Sequence, residues 1–254
     1  MISSRIAFGT ASLHHLRNAR ERERLVLTAL ENGITHFDTS PYYGYGIGET
    51  SLAVLAGKQS TITIATKVGL YPAGGADLPA SLILPRKILG KLLPPLARPS
   101  ADLCVERARR SLEGSLRRMK RERVDLLLLH EPTFALLATD EWQRWIETAR
   151  DRVGVVGIAG EVDRVMPFVD ARHPFAKFIQ TRDSLNAQEA APLRRLGRVP
   201  QITFGHLARR DESRAVPEIV ERTLQQFPKT VLLFSTRRAE RIVELARCVE
   251  RIRP

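Results

Sequence analysis

Cysteine is scarce in this sequence, long apolar runs are missing, and each shortage narrows what the chain can be. The two cysteines, Cys104 and Cys248, do not stand at metal-type spacing. That argues against a disulfide-stapled scaffold or a cysteine-based zinc module; reduced thiols in a cytoplasmic protein, with no metal, are the expectation. No apolar run approaches the roughly 20 residues that cross a bilayer. The longest apolar loop stretch, Leu78 to Leu96, is broken by Pro79, Pro85, Pro94 and Pro95 and carries Arg86, Lys87 and Lys91. From Met1 to Ile6 there is no basic segment followed by an apolar one, so no secretory signal is read there. A second domain, an internal repeat and a low-complexity tract are likewise not read.

What is present fits one globular unit. The chain has 254 residues, 43% of them hydrophobic, enough to bury a single sizeable core. Its formal net charge of +12 raises the question of a polyanionic partner. The basic residues are mostly interleaved with acidic ones, as in Arg20-Glu21-Arg22-Glu23-Arg24, and only Arg117-Arg118-Met119-Lys120-Arg121 forms a basic cluster. Such spreading reads as solvated helix faces, so neither nucleic acid nor a membrane is the expected partner; the charge says nothing about oligomeric state.

Short β-rich runs alternate with helical patterns from end to end. The predicted strands are Ile6–Gly9, Thr35–Thr39, Thr61–Thr66, Val124–Leu129, Val153–Ile158, Phe178–Gln180, Gln201–Phe204 and Val231–Phe234. Between them apolar residues recur at helical spacing, as in Ala108, Leu112, Leu116 and Met119, or Ile242, Leu245, Ala246 and Val249. Strand-helix alternation implies a parallel sheet, and runs such as Leu126 to Leu129 fit strands buried on both faces. Eight such units predict an α/β fold of the (β/α)₈ TIM-barrel class, a single domain over 1–254. Periodicity alone leaves a doubly wound sheet open. One connection is long: residues 68–99, with Gly69, Gly74, Gly75 and several prolines, read as a binding loop after the third strand.

In a barrel, residues at the strands' C-terminal ends face one shared pocket. Asp38 ends the second strand, Tyr43 follows it in a Gly/Pro-rich loop, Lys67 ends the third and His130 the fourth. Their chemistry is coherent. A lysine in low dielectric needs a counter-ion, which Asp38 can be. An ammonium beside a phenol favours phenolate, predicting a lowered pKa for Tyr43. Tyr43 could then give a proton to a carbonyl oxygen, with His130 hydrogen-bonding that oxygen. None of these groups is a hydride source, so a reduction needs a bound cofactor.

These motifs resemble those of the aldo-keto reductase family, and the resemblance covers nearly the whole chain. Gly33 to Gly44, followed by Gly48-Glu49, is similar to the segment bearing the family's catalytic aspartate and tyrosine. Ile64-Ala65-Thr66-Lys67 resembles its lysine strand, and Ser111 to Leu116 with Val124 to His130 resembles its helix and histidine strand. The resemblance implies reversible carbonyl reduction with NADPH, NADH being possible, on a small-molecule aldehyde, ketone or sugar. It implies cofactor contacts from Thr10, Asp38, Gln180, Phe204, Ser235, Thr236, Arg237 and Arg241, with Gln180 on the carboxamide and Phe204 against the nicotinamide. No GxGxxG follows the first strand. Phe37, Tyr42 and Tyr71 are expected to line the pocket.

The chain also departs from the family. Ala159-Gly160 stands where the family has a Ser-Asn pair, the loop after the seventh strand is short, and Phe234 replaces the usual lysine. Pocket-shaping loops that follow the last helix in many relatives are not seen before Pro254. Two other readings stay open on that account. One is a lyase, dehydratase or isomerase that uses the same four residues without redox chemistry. The other is a non-catalytic subunit that senses a nucleotide.

Overall fold

A computed structural model describes residues 2–58, 60–76, 85, 99–208 and 213–252. Most of the long connection predicted at 68–99 therefore lies outside the described residues. In chain order the strands are β1 (Ile6–Gly9), β2 (His36–Asp38), β3 (Thr63–Val68), β4 (Leu70–Tyr71), β5 (Ser100–Ala101), β6 (Val124–His130), β7 (Val153–Gly160), β8 (Ile179–Arg182), β9 (Ile202–Phe204) and β10 (Val231–Phe234). All but β4 and β5 pair in parallel as β1-β2-β3-β6-β7-β8-β9-β10, and β10 returns to β1 to close the barrel. The β4 and β5 pieces form a small antiparallel pair, with Leu70 opposite Ala101, at the two ends of the long connection.

Each barrel strand is followed by a helix. These are α1 (Ala19–Glu31), α2 (Ile47–Leu52), α3 (Val105–Met119), α4 (Thr139–Thr148), α5 (Val162–Asp170), α6 (Ala191–Arg195), α7 (Val216–Gln226) and α8 (Ala239–Arg251). Their limits follow local chemistry. Asn18 caps α1 by accepting the N–H of Arg20 at 2.9 Å, and Lys120 ends α3 in the left-handed conformation, φ 53°. In α3 the buried Val105, Ala108, Leu112, Leu116 and Met119 recur every three or four residues, which gives the helix one apolar stripe for the barrel.

The four leucines of β6 show why both faces of a strand are apolar here. Successive side chains on a strand point to opposite faces. Leu126 and Leu128 pack with Ala65 and Ala159 in one cluster, inside the barrel. Leu127 and Leu129 join the larger core between strands and helices, with Trp142 and Trp145 of α4 in the same layer. The inward face of β6 then continues to His130 at its C-terminal end. The same alternation turns Phe37 outward into the helix-facing core and leaves His36 and Asp38 inward.

Close strand approach is enforced at Gly157 on β7. A Cβ there would lie 2.5 Å from the carbonyl oxygen of Phe178 and 2.8 Å from its Cβ, so any larger residue forces the chain entering β8 away. Gly157→Ala is expected to destabilise the fold by about 1–3 kcal/mol, read from its urea midpoint, because overpacking at a rigid backbone contact is not relieved by a side-chain rotation. A midpoint equal to that of the unmodified protein would show the two strands free to separate.

Candidate active site

Strand alternation brings Asp38, Lys67, His130 and Gln180 to the inner face of the barrel at the strands' C-terminal ends. There they line one cavity of about 340 Å³. Behind it sits a buried ion pair. The Nζ of Lys67 donates to Asp38 Oδ1 at 2.6 Å and to the carbonyl oxygen of Thr39 at 2.9 Å, and both side chains are 1% exposed. A charge this deeply buried persists only when paired and hydrogen-bonded, and these contacts meet that demand.

Tyr43 reaches the cavity because its loop folds back over the barrel mouth. Its N–H donates to the carbonyl oxygen of Ser40 at 3.0 Å, and Gly48 N–H returns to the carbonyl oxygen of Tyr43 at 3.1 Å. Gly48 has to be glycine: a Cβ there would meet Thr10 Oγ1 at 2.6 Å and the Cβ of Tyr43 at 3.2 Å. The following helix is anchored by Glu49, fully buried, whose carboxylate accepts from Thr66 Oγ1 at 2.6 Å and from Arg118 Nε at 2.7 Å. That one carboxylate ties α2 to β3 beside Lys67 and to α3.

With the loop so held, Lys67 Nζ lies 4.8 Å from the centroid of the Tyr43 ring. The Tyr43 and His130 rings stand nearly perpendicular, centroids 5.9 Å apart. Ser40 Oγ lies 3.4 Å from His130 Nδ1.

The charge states follow from this packing. Burial pushes the Tyr43 hydroxyl above its ordinary pKa, and the charge and hydrogen bonding of the Lys67 ammonium only partly oppose it. The sequence expectation of a lowered value is corrected here, because loss of water outweighs the neighbouring cation. Tyr43 is therefore protonated at neutral pH and able to donate. For Lys67, burial works against the ammonium, but Asp38 and Tyr43 hold it above its ordinary value. Burial, reinforced by Lys67, drops His130 to about 3, so the imidazole is neutral.

Other predicted contacts divide into two groups. Gln180, Phe204 and Ser235 line the cavity. The Oε1 of Gln180 and the Oδ2 of Asp38 are buried without a hydrogen-bond partner among the described residues. Ser235 Oγ lies 2.6 Å from Ser12 Oγ across the β1 and β10 ends. Thr10, Thr236, Arg237 and Arg241 do not line the cavity. Thr10 is wholly buried and donates through Oγ1 to Thr39 Oγ1 at 2.8 Å, while Gly9 and Ala11 on either side of it face the space. Thr236 Oγ1 accepts from Arg238 N–H at 3.2 Å, Arg237 is exposed, and Arg241 pairs with Glu244.

Phe37, Tyr42 and Tyr71 are not among the lining residues either. Phe37 points into the outer core, Tyr42 is 37% exposed with its ring 6.0 Å from that of His130, and Tyr71 borders a separate hollow with Pro72 and Arg107. Sequence reasoning missed Glu131 and Arg182, which do line the cavity. Glu131 directly follows the strand-end histidine, and that position alone could have flagged it. The Arg182 guanidinium lies 5.3 Å from the Phe204 ring centroid and donates through Nε to Glu161 Oε1 at 2.7 Å. Among the described residues no group of three or more His, Cys, Asp or Glu could hold a metal ion, and no helix is long and apolar enough to cross a membrane.

The chain belongs to the aldo/keto reductase family, whose model matches residues 5–164. It is 25% identical over 196 residues to an uncharacterised oxidoreductase of Bacillus subtilis (strain 168), covering 71% of this chain and 56% of that protein. It is 29% identical over 141 residues to the L-galactose dehydrogenase of Arabidopsis thaliana, covering 53% of this chain and 36% of that one. The chain thus spans between about a third and just over half of the length of these curated relatives. Among solved structures it resembles a putative aldo-keto reductase of Pseudomonas aeruginosa, with TM-score 0.71, 20% identity, and 97% and 91% of the two chains covered. An aldo-keto reductase of Bacillus halodurans in its holo form gives TM-score 0.72 at 18% identity, with coverage of 97% and 87%. One from Klebsiella pneumoniae in complex with NADPH gives 0.64 at 14%, with coverage of 96% and 85%. At such identities these structures speak for the barrel alone.

The buried histidines carry a consequence for stability. Burial holds His36 and His130 near pKa 3, with Lys67 adding to the effect, and burial holds His206 near 4. All three lie below the ordinary 6.5, so between about pH 3 and 6.5 the unfolded chain binds protons that the folded chain does not. Stability contributed by these groups is full above that window and is lost as pH falls through it. Urea midpoints are expected to drop steadily from pH 7 to pH 4.5, and His36→Gln is expected to flatten the slope by about one proton's worth, some 1.4 kcal/mol per pH unit at most. An unchanged slope in that variant would remove His36 from the account.

Proposed function

We propose that the chain reversibly reduces a small carbonyl compound (an aldehyde, ketone or sugar) to its alcohol, with NADPH as reductant and Tyr43 as general acid and base. The observation that carries this reading is the meeting of a protonated Tyr43 with the Lys67–Asp38 pair and a neutral His130 at one cavity. Family membership supports the same chemistry. Two of the similar solved structures, described as a holo form and an NADPH complex, are in keeping with a nicotinamide cofactor.

The lining residues fit such a group. The unpartnered Oε1 of Gln180 offers an acceptor to a carboxamide N–H, and Phe204 offers a ring wall. Asp38 borders the same space. Thr10 contributes as packing beneath it. The adenosine phosphate would lie towards Ser235, Thr236, Arg237 and Arg241, where the start of α8 presents free backbone N–H groups. The exposed Arg237 there favours NADPH over NADH, with Arg241 held by Glu244 beside it. When bound, the nicotinamide supplies the hydride.

The chain's own residues then manage the oxygen. The neutral imidazole of His130 donates a hydrogen bond to the carbonyl oxygen and orients it. As negative charge develops there, the Tyr43 hydroxyl delivers its proton, and the tyrosinate left behind is stabilised by the ammonium of Lys67. Asp38 keeps that ammonium charged and in place. In the oxidative direction Tyr43 recovers the proton from the alcohol. The two free thiols, one exposed and one buried, are in keeping with a cytoplasmic setting.

Ala159 and Gly160 motivate a second reading, in which the same groups catalyse an elimination or isomerisation next to a carbonyl without a nicotinamide. The two readings part on one experiment. Tyr43→Phe is expected to lower kcat/KM for NADPH-dependent carbonyl reduction by about 100-fold or more, while the Kd for NADPH, from fluorescence titration, moves less than about two-fold. Turnover retained in that variant would overturn the role of Tyr43. A protein that does not bind NADPH would favour the second reading.

A further inference from the structure

The carboxyl group of Glu131 lines the cavity next in sequence to His130, and the proposed reaction leaves it without a task. Its position is built rather than incidental. The backbone holds φ 48°, a left-handed conformation that residues bearing a Cβ rarely adopt, and its N–H donates to the carbonyl oxygen of Ala159 at 2.8 Å. One carboxyl oxygen, Oε2, accepts the N–H of Glu161 at 3.2 Å. That contact lays the group over Gly160, where a Cβ would sit 2.9 Å from Oε2. A side chain from the end of β6 thus fills the space a side chain on β7 would claim.

The nearby cations make their hydrogen bonds elsewhere, although the charge of Arg164 is felt at Glu131. Arg182 donates to Glu161 Oε1 at 2.7 Å, Arg164 donates to Thr133 Oγ1 at 3.2 Å, and Glu131 makes no ion pair among the described residues. In the barrel register Ala159 pairs with Gln180, whose Oε1 is buried and unpartnered. At this end of the cavity, then, two side chains present acceptor oxygens, while Ala159 and Gly160 between them present nothing polar. Two acceptors facing one space suit a ligand group with two N–H hydrogens on a single nitrogen.

We infer that Glu131 binds the nicotinamide carboxamide: its carboxylate and Gln180 Oε1 each accept one N–H of that primary amide. This rests on the NADPH reading above. It also assigns Glu131 the polar contact that Ala159 and Gly160 do not make. A carboxylate in that place favours the oxidised, cationic ring over the reduced, neutral one.

Calorimetric titration with NADP+ and with its 3-acetylpyridine analogue, in which a methyl group replaces the amide nitrogen, tests the assignment. The unmodified protein is expected to prefer NADP+ by about ten-fold or more, the scale of a charge-assisted hydrogen bond. Glu131→Ala is expected to shrink that preference to about three-fold or less, with binding of adenosine 2′,5′-bisphosphate unchanged. Should Glu131→Ala lose that control binding, the near-isosteric Glu131→Gln carries the test: its ratio of NADP+ to NADPH affinity falls when the charge is removed. Either variant keeping the affinity ratios of the unmodified protein would overturn the role of Glu131 and leave the reductase reading standing. An unmodified protein that binds neither nicotinamide form would overturn both.

Discussion

The candidate site is organised around one buried ion pair. Lys67 and Asp38 come from neighbouring strands, each at a C-terminal end, and together they place an ion pair at the cavity wall where each side chain is only 1% exposed. Separated, either charge would be very costly there; joined at hydrogen-bonding distance, with the Thr39 carbonyl as a second acceptor, they are tolerated. The rest of the electrostatics leans on this pair. The ammonium faces the Tyr43 ring, opposes the rise in its pKa and helps to hold His130 neutral. Asp38 keeps the ammonium from shedding its proton into a low-dielectric surrounding, which is what burial alone would cause.

A second buried charge performs a mechanical task. Glu49 joins α2 to β3 through Thr66 and to α3 through Arg118, so the loop carrying Tyr43 is pinned at its far end. Thr66 immediately precedes Lys67, and the alternation of the strand sends the two side chains to opposite faces. One therefore clamps the outer layer while the other serves the cavity. Catalytic precision in a barrel depends on such outer-layer contacts, because the functional loops have few partners of their own.

Polar groups at the cavity rim are redistributed around β7. Ala159 and Gly160 carry no hydrogen-bonding side chain, yet the space above Gly160 is occupied by the carboxyl of Glu131, and Arg182 and Glu161 form an ion pair alongside. In a closed barrel, neighbouring strand ends lie about 4.8 Å apart, so a polar group that one strand does not carry can be supplied by the next. A residue-by-residue comparison along the sequence does not show this neighbourhood, since Glu131 and Gly160 are about 30 positions apart.

The sequence by itself determined the alternation of strands with helices and the inward positions of Asp38, Lys67 and His130, while closure of the sheet into a barrel came from the tertiary structure. The first two rest on periodicity: strands alternate with helices, and alternate residues of a strand share a face. The same rule, applied to Phe37, would have turned it outward. Only the tertiary structure decided the acidity of Tyr43, because desolvation sums over every atom that excludes water and no local motif encodes that sum. It alone decided that Thr10 is packing between strands, that Arg241 is engaged by Glu244 instead of facing the cavity, and that Glu131 overlies Gly160. Each of these outcomes depends on which groups from distant parts of the chain arrive at the same place, and that is set when the barrel closes.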